Sequence, residues 1–179
     1  MEKSKNSLVN GCSLQGIRPI MVDLPYPPIK VKETNLQYAD LLMVDYCGSV
    51  SELSAILQYI NNENRMPGEY CALIRTILGI AMAEMMHLQK LGELIYLLGG
   101  NVCFETKQPK SMWSPACLTL PDSIPQMLQA DLEAEKAAIR QYRAHIKDIR
   151  DDCVNAVLKR IIQDEEYHIM ILQSLISYE

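Results

Sequence analysis

The sequence lacks several features that would assign it to a common functional class. None of its six cysteines forms a C-x-x-C pair, which excludes a rubredoxin-type iron site or a zinc ribbon within this chain. Positive charge is also scarce: 17 Lys and Arg against 22 Asp and Glu give a net charge of −5. No basic face is therefore available to neutralise phosphates, and we expect no nucleic-acid partner.

Long apolar runs are missing as well. The first 16 residues, MEKSKNSLVNGCSLQG, lack the apolar stretch that a secretory signal requires. The longest apolar segment, residues 71–83, contains Arg75 and falls short of the roughly 20 residues of a membrane span. We therefore expect a cytoplasmic protein with no membrane partner, in which all six cysteines are reduced and mostly buried.

The composition is that of an ordinary globular protein, with 49% hydrophobic and 22% charged residues in a chain of 179. Four of the nine prolines fall in the segment RPIMVDLPYPPIKVKET, which cannot form the interior of a helix. We predict that residues 1–34 form an extended, proline-rich N-terminal arm packed on one domain, which spans residues 35–179.

Helical periodicity then predicts four long helices and no strands. The second helix ends at a pair of glycines that begins with Gly99, and the third starts at Ser123 with a proline tolerated in its first turn. Asp151 or Asp152 caps the fourth helix. The predicted helices cover residues 35–64, 68–98, 123–148, and from 151 or 152 to 177.

The lengths of the connections predict the topology. The first two helices and the last two helices are joined by short turns, so each pair is antiparallel. More than twenty residues separate the second helix from the third, which is enough chain to return along the bundle. The predicted fold is all-α: an antiparallel four-helix bundle with one long crossover between helices 2 and 3.

Each predicted helix places a carboxylate on its inward, apolar face. The second and fourth helices carry the same interruption of that face, a glutamate followed three residues later by a histidine. The first and third helices each carry one inward glutamate. These six residues are Glu52, Glu84, His87, Glu135, Glu165 and His168.

The positions of the turns place the four glutamates at one level in the bundle. In an antiparallel pair, residues at the same level are equidistant from the turn. The midpoint of Glu52 and Glu84 is Gly68, which lies in the first predicted turn. The midpoint of Glu135 and Glu165 is residue 150, in the second predicted turn. The four carboxyl groups should therefore meet in the core.

Four carboxylates at one buried level repel one another, and their desolvation is costly. They must either take up protons or be neutralised by cations. Two metal ions, held by the four glutamates and the two histidines, satisfy this requirement and account for the histidines. Hard carboxylates with one imidazole per ion suit manganese or iron better than zinc or copper.

Other polar side chains near these positions have simpler interpretations. We expect Glu133 and Glu166 to be solvated on the surface, because their neighbours are polar. Asp45 lies two turns before Glu52 on the inward face, and we expect it to be buried and paired.

The nearby aromatic and imidazole side chains are interpreted in the same way. We expect Tyr59 and Tyr142 to be core residues, with hydrogen bonds to the metal ligands as the alternative. His145 is expected on the surface, and Trp113 is expected to anchor the crossover to the bundle.

With these residues in place, the sequence resembles the ferritin-like superfamily over most of residues 35–177. The segments DYCGSVSELSAILQYI and AMAEMMHLQKLGELIYLLGG are similar to the manganese catalase and rubrerythrin-like branches. The proline-rich lead-in LPYPPIKV favours the catalase side, including its spore-coat relatives. The chain differs from rubrerythrins in lacking C-x-x-C pairs, and from some manganese catalases in lacking a long C-terminal extension.

The resemblance implies a role for each ligand. Glu52 and Glu135 would be terminal ligands, and Glu84 would bridge two ions. His87 would bind one ion and His168 the other. Glu165 divides the branches: it would be a second bridging ligand in ferritin-type and rubrerythrin-type sites, and a catalytic proton-transfer group in manganese catalases.

Three functions are compatible with these residues. The leading one is a di-manganese or di-iron oxidoreductase acting on hydrogen peroxide, by catalase-type disproportionation or as a peroxidase; disproportionation needs no external reductant. The second is oxidation of iron by dioxygen and its storage in a 24-subunit shell. The third is a structural coat protein with a vestigial site. On each of them we expect a homo-oligomer.

Overall fold

The structure, a computed structural model, describes residues 8–9 and 11–178 and is built mainly of helices. The helices α1 and α2 both pack on α3, and α4 packs along α5. Together α1 and α2 take the place of one helix, so the predicted four-helix bundle with a long crossover is confirmed. The helices are α1 (Leu36–Cys47), α2 (Glu52–Arg65), α3 (Cys71–Leu97), α4 (Ile124–Asp148) and α5 (Asp152–Tyr178).

The first predicted helix is interrupted, which corrects the prediction of a continuous helix over residues 35–64. The backbone is extended at Gly48 and again at Ser51, where α2 begins. The Ser51 hydroxyl donates to the Gly48 carbonyl (2.7 Å) and accepts from the Ser54 amide (3.2 Å). Short polar side chains compete with helical hydrogen bonds in this way and cap the following helix. Glu52 is consequently the first residue of α2.

The remaining helix ends agree closely with the prediction. A positive φ of 86° at Gly99 follows α3, and Ser123 precedes α4. Asp151 is the cap of α5, because its Oδ1 accepts from the Cys153 amide at 2.8 Å. A single turn of 3-10 helix, Gly68–Tyr70, precedes α3.

The apolar core consists of two clusters separated by a polar layer. On α3, buried residues 73–81 belong to one cluster and residues 91–98 to the other. The buried apolar residues of α4 and α5 also divide between the two clusters. Glu135, Glu165 and His168 are buried between them. Close packing on both sides therefore fixes the level at which the polar side chains meet.

Two short antiparallel strand pairs were not predicted. One joins β1 (Leu8–Val9) to β2 (Cys12–Ser13), and the other joins β3 (Glu105–Lys107) to β4 (Lys110–Met112) within the crossover. The crossover is held to α2, since Trp113 Nε1 donates to the Ser54 hydroxyl at 3.0 Å. Trp113 is thus the predicted anchor.

The expectation of six reduced, mostly buried cysteines is wrong. Cys12 and Cys71 form a disulfide that ties β2 to the start of α3, with the Cα atoms 5.3 Å apart. Of the four free cysteines only Cys47 is buried, and Cys103 is exposed. Disulfides are uncommon in cytosolic proteins, and the cytoplasmic location stays a prediction.

One helix in the described part of the chain, Gly68–Leu97 with its leading turn, is long and apolar enough to cross a membrane. Half of its most apolar window is buried in the bundle, and a core helix has the same properties. Its buried Glu84 and His87 face the polar layer described above.

Candidate metal centre

The structure brings all six predicted site residues together in the layer between the two apolar clusters. None of them is more than 3% exposed. They form two overlapping groups, each of three carboxylates and one imidazole, whose ligand atoms lie within 4.8 Å of one another. Glu84 and Glu165 belong to both groups. The first group adds Glu52 and His87, and the second adds Glu135 and His168.

In the first group the imidazole nitrogen faces three carboxylates. His87 Nδ1 lies 2.8 Å from Glu84 Oε2 and 3.2 Å from Glu165 Oε1. Glu52 Oε2 lies 3.6 Å from the same nitrogen. Because Nδ1 carries at most one hydrogen, it cannot satisfy three acceptors.

The second group repeats this geometry on the other side of the bundle axis. His168 Nδ1 lies 3.0 Å from Glu84 Oε1 and 3.1 Å from Glu165 Oε2. Glu135 Oε1 lies 3.5 Å from it. The centroids of the His87 and His168 rings are 6.2 Å apart. The centre therefore has near two-fold symmetry.

In both histidines Nε2 faces a hydrogen-bond acceptor outside the carboxylate cluster, and this contact determines whether Nδ1 is free to bind a metal ion. His168 Nε2 donates to the Ile20 carbonyl at 2.7 Å, because a carbonyl can only accept. His87 Nε2 lies 3.2 Å from Asp164 Oδ2. A neutral imidazole with its proton on Nε2 presents a lone pair on Nδ1, and in both residues Nδ1 points at the shared carboxylates.

Sequence reasoning missed both of these outer partners. The sequence did contain a signal for Asp164. This residue directly precedes Glu165 and follows Arg160 by four residues, a spacing that allows an ion pair along a helix. Burial by itself raises the pKa of Asp164. Hydrogen bonds, of which that from His87 has the largest effect, outweigh burial and lower the pKa to about 2. The Ile20 carbonyl had no signal, because every residue carries the same group.

Two tyrosines hold the carboxylates that belong to only one group. The Tyr142 hydroxyl donates to Glu52 Oε1, and the Tyr59 hydroxyl donates to Glu135 Oε1. Burial raises the pKa of both tyrosines, so each remains a protonated donor. The expectation that both tyrosines are core residues is confirmed, because each belongs to one of the two apolar clusters. The alternative also holds, since both hydroxyls donate hydrogen bonds to site carboxylates.

Burial and mutual repulsion separate the four carboxyls into two kinds. Burial, followed by the charges of Glu84 and Glu165, raises the pKa of Glu52 and likewise of Glu135. Burial also raises the pKa of Glu84, but His168 and His87 outweigh it and lower the pKa. Proton binding is thus favoured at the two carboxyls that belong to one group each and disfavoured at the shared Glu84.

The donor set fits two metal ions. Each Nδ1 can give its one hydrogen only to Glu84 Oε2 (from His87) or to Glu165 Oε2 (from His168). Glu84 Oε1 and Glu165 Oε1 are therefore buried without a hydrogen bond from the described residues. Buried carboxylate oxygens without partners are costly. Two cations, one per group, would be contacted by Glu84 and by the Nδ1 lone pairs, and Glu165 Oε1 would either contact an ion or accept a proton. Oxygen-rich sites with one imidazole each suit manganese or iron.

A cavity of about 370 Å³ reaches this centre between α2 and α4. Its inner wall includes Glu52, Glu84, Glu135 and Glu165, and its side walls are small residues. Residues 49–51, the interruption between α1 and α2, also line it. The unpredicted break in the first helix therefore contributes to the access route.

Asp45 also lines the cavity and is 1% exposed, so its predicted burial and pairing are confirmed. Its Oδ1 accepts from Gln141 Nε2 at 2.8 Å, and its Oδ2 lies 2.8 Å from His145 Nδ1. The expectation that His145 lies on the surface is wrong. His145 follows Tyr142 by one helical turn and so shares its inward face.

The two glutamates expected on the surface are there. Glu133 and Glu166 are both exposed, and each pairs with a basic side chain. Neither belongs to the metal-binding groups. They supply matched controls for substitutions of the buried acids.

A buried acid outside the centre gives a prediction about stability. Asp131 is 1% exposed and accepts hydrogen bonds from Gln58 (2.8 Å) and Asn62 (3.0 and 3.1 Å). Burial raises the pKa of Asp131 from 3.8 to about 6. The fold therefore favours the protonated acid: its stabilising contribution is full below pH 3.8 and is lost as the pH rises through 6.

We expect Asp131→Asn to raise the free energy of unfolding at pH 8 by roughly 2 kcal/mol, because the amide keeps an acceptor without a charge. At pH 3.5 the gain should vanish. Urea denaturation at the two pH values measures it, with Glu133→Gln on the same helix as the control. An equal effect of Asp131→Asn at both pH values would contradict the assignment.

Comparison with known protein families assigns the chain to one of them. Residues 51–178 match the ferritin-like domain family, which is more than half of the chain. The chain therefore belongs to the ferritin-like family, and the resemblance drawn from its sequence is confirmed. A search of curated protein sequences finds no match.

Solved structures share the fold at low sequence identity. KatB, a manganese catalase from Anabaena, has 24% identity and a TM-score of 0.78 over 87% of this chain and 78% of that chain. Rhodobacter capsulatus bacterioferritin has 22% identity and a TM-score of 0.65, over 82% and 87%. Mycobacterium tuberculosis bacterioferritin, BfrA, has 22% identity and a TM-score of 0.66, over 82% and 87%. These likenesses show the fold.

Proposed function

We propose that the chain is a dinuclear manganese or iron oxidoreductase that acts on hydrogen peroxide, most simply by the disproportionation 2 H2O2 → 2 H2O + O2. The observation that carries the proposal is the pair of overlapping groups sharing Glu84 and Glu165. A pair of ions that together change by two electrons matches each half of this reaction, in which peroxide gives up or takes two electrons.

The side chains of the centre hold the geometry through this cycle. Glu84 would bind both ions and keep them close. Tyr142 and Tyr59 fix the orientation of Glu52 and Glu135 through their hydroxyl hydrogen bonds. Preorganised ligands of this kind limit the reorganisation that accompanies a change of charge.

Glu165 is the proposed catalytic proton carrier. Oxidation of peroxide to dioxygen releases two protons, and reduction of a second peroxide consumes two. Glu165 Oε1 accepts no hydrogen bond from the described residues, and Glu165 lines the cavity. We propose that Glu165 acts here as a proton-transfer group and not as a second bridging ligand: its Oε1 accepts one of the two protons in one half-reaction and returns it in the other, and the second proton exchanges with water through the cavity.

The cavity supports a small substrate. Its walls are mostly apolar or small, and the break at residues 49–51 leaves room above Glu52. A molecule the size of hydrogen peroxide or dioxygen fits this space. We also propose a homo-oligomer, because large apolar side chains such as Tyr96, Phe104 and Met112 are exposed on the described chain.

Measurement of dioxygen released from peroxide tests the proposal. Protein loaded with two Mn or two Fe ions per chain should release one O2 for every two H2O2 consumed, without added reductant. Peroxide consumption that depends on an added electron donor and releases no dioxygen would favour a peroxidase. If neither loaded form consumes peroxide, the proposed function is wrong.

Iron oxidation is the second candidate, favoured by the equal placement of Glu165 and Glu84 in both groups. It predicts rapid dioxygen consumption when Fe(II) is added, and a shell of 24 subunits on a sizing column. A small oligomer that disproportionates peroxide would exclude it.

A further inference from the structure

The segment of residues 18–26 lies directly behind the histidines of the metal centre. Its backbone makes an unusual pair of contacts at Ile20. The Ile20 amide donates to the Gly79 carbonyl of α3 at 2.9 Å. The Ile20 carbonyl accepts from His168 Nε2 of α5 at 2.7 Å. One residue of the N-terminal segment thus bridges two core helices beside a metal ligand.

Gly79 is the feature that allows this approach. A Cβ atom at residue 79 would lie 2.9 Å from Ile20 Cγ1 and Cδ1 and 3.1 Å from the Arg18 carbonyl. Contacts this short require the Ile20 side chain to move, and the backbone at Arg18 to shift by a few tenths of an ångström. Glycine in the middle of a helix is otherwise unfavourable. Its presence in α3 is accounted for by the segment that packs on it.

The other histidine is supported differently. His87 faces Asp164, and Arg160 Nη1 of the same helix lies 2.7 Å from Asp164 Oδ1. Asp164 also accepts hydrogen bonds from the Val22 amide (2.8 Å) and the Tyr26 hydroxyl (2.6 Å) of the N-terminal segment. Arg160 also donates to the Val22 and Leu24 carbonyls at 2.9 Å. The contacts of the segment with Asp164 and Arg160 begin at Val22, so a displacement confined to Ile20 would leave Asp164 in place.

We propose that Ile20, seated on Gly79, is a positioning residue for one of the two metal positions. Its carbonyl orients His168, so the position that includes His168 depends on the seating of Ile20, whereas the position that includes His87 depends on Asp164, which residues 22–26 hold. The proposal rests on the metal centre of the proposed function but not on peroxide chemistry.

The physical reason lies in the histidine itself. A hydrogen bond from Nε2 fixes the tautomer and the ring orientation that aim the Nδ1 lone pair at the ion. Without an acceptor at Ile20, His168 would lose both constraints and leave a buried donor unsatisfied. Loss of such an outer partner costs about 10- to 100-fold in metal affinity.

The test is Gly79→Ala, with Gly92→Ala in the same helix as the matched control. A Cβ at residue 92 would meet only Tyr46 Cε2 at 3.5 Å, an ordinary contact. Both changes raise helix propensity, and thermal unfolding of each variant checks that the fold is kept before metal binding is compared. Equilibrium dialysis of the metal-free full-length protein against graded Mn(II) gives the ions bound per chain.

We expect Gly79→Ala to weaken one of two binding steps by about tenfold or more and to spare the other, while Gly92→Ala binds as the unmodified chain does. Anomalous scattering from crystals grown at intermediate Mn(II) should place the retained ion beside His87. Adding Ile20→Ala to Gly79→Ala removes the crowding atoms and should restore much of the lost affinity.

Identical binding by the two glycine variants would overturn the proposal, as would loss of the ion beside His87 or equal weakening of both steps. These outcomes are separate from the failure of the proposed function. A chain that binds two ions with the predicted dependence on Gly79 but does not consume peroxide would uphold the inference and refute the peroxide activity.

Discussion

Glu84→Gln is expected to remove both metal ions and to lower the rate of dioxygen release from peroxide by more than about 100-fold. This loss exceeds the roughly 10- to 100-fold loss expected when a residue that only hydrogen-bonds to a metal ligand is removed. The reason is that Glu84 belongs to both groups. An amide of the same shape supplies one neutral oxygen in place of two charged ones, so neither ion is neutralised and neither is bridged.

A comparison with the ligands of a single group makes this prediction specific. Glu52→Gln and Glu135→Gln each affect only one group and leave the other complete. We therefore expect close to zero ions per chain for Glu84→Gln and about one for each of the other two variants. Metal analysis after dialysis at a concentration that saturates the unmodified chain measures the pattern.

Glu93→Gln is the matched control for Glu84→Gln, because it removes the same charge from an exposed position of the same helix. It should bind two ions and keep full activity. Retention of two ions by Glu84→Gln, at the affinity of the unmodified chain, would show that Glu84 does not bridge.

Ala134→Phe is expected to lower kcat/KM for peroxide by more than about tenfold, an added barrier of about 1.4 kcal/mol, while two ions per chain are retained. Ala134 lines the cavity between α2 and α4 together with other small side chains. A phenyl ring at this position would fill part of the cavity that leads to Glu165.

The cavity prediction is checked by an oxygen electrode and by metal analysis of the same samples. Ala137→Phe is the control, since Ala137 lies on the same helix, is also half-buried and does not line the cavity. If both variants lose the same activity, or if Ala134→Phe retains full activity, peroxide does not reach the centre by this route.

The sequence predicted the helices well because the signals at their ends are local. Gly99, Ser123 and Asp151 mark ends through backbone conformation or side-chain caps that act within a few residues. The break at residues 48–51 was missed, because the apolar periodicity continues across it. The interruption is decided by competing hydrogen bonds of Ser51, which periodicity does not register.

The six site residues were predictable because they interrupt apolar stripes and their helices are paired by short turns. Their surroundings were less so. The burial of His145 depends on Asp45, 100 residues earlier in the chain. The Cys12–Cys71 disulfide has no spacing motif. The support of His168 comes from a backbone carbonyl, which no residue type encodes.

The claim that this layer holds two metal ions is tested most directly by elemental analysis combined with anomalous scattering at the manganese and iron edges. We predict two ions per chain. One should contact Glu52 and His87, the other should contact Glu135 and His168, and Glu84 should lie between them. Fewer than one ion per chain after loading, or ions bound outside this layer, would contradict the account.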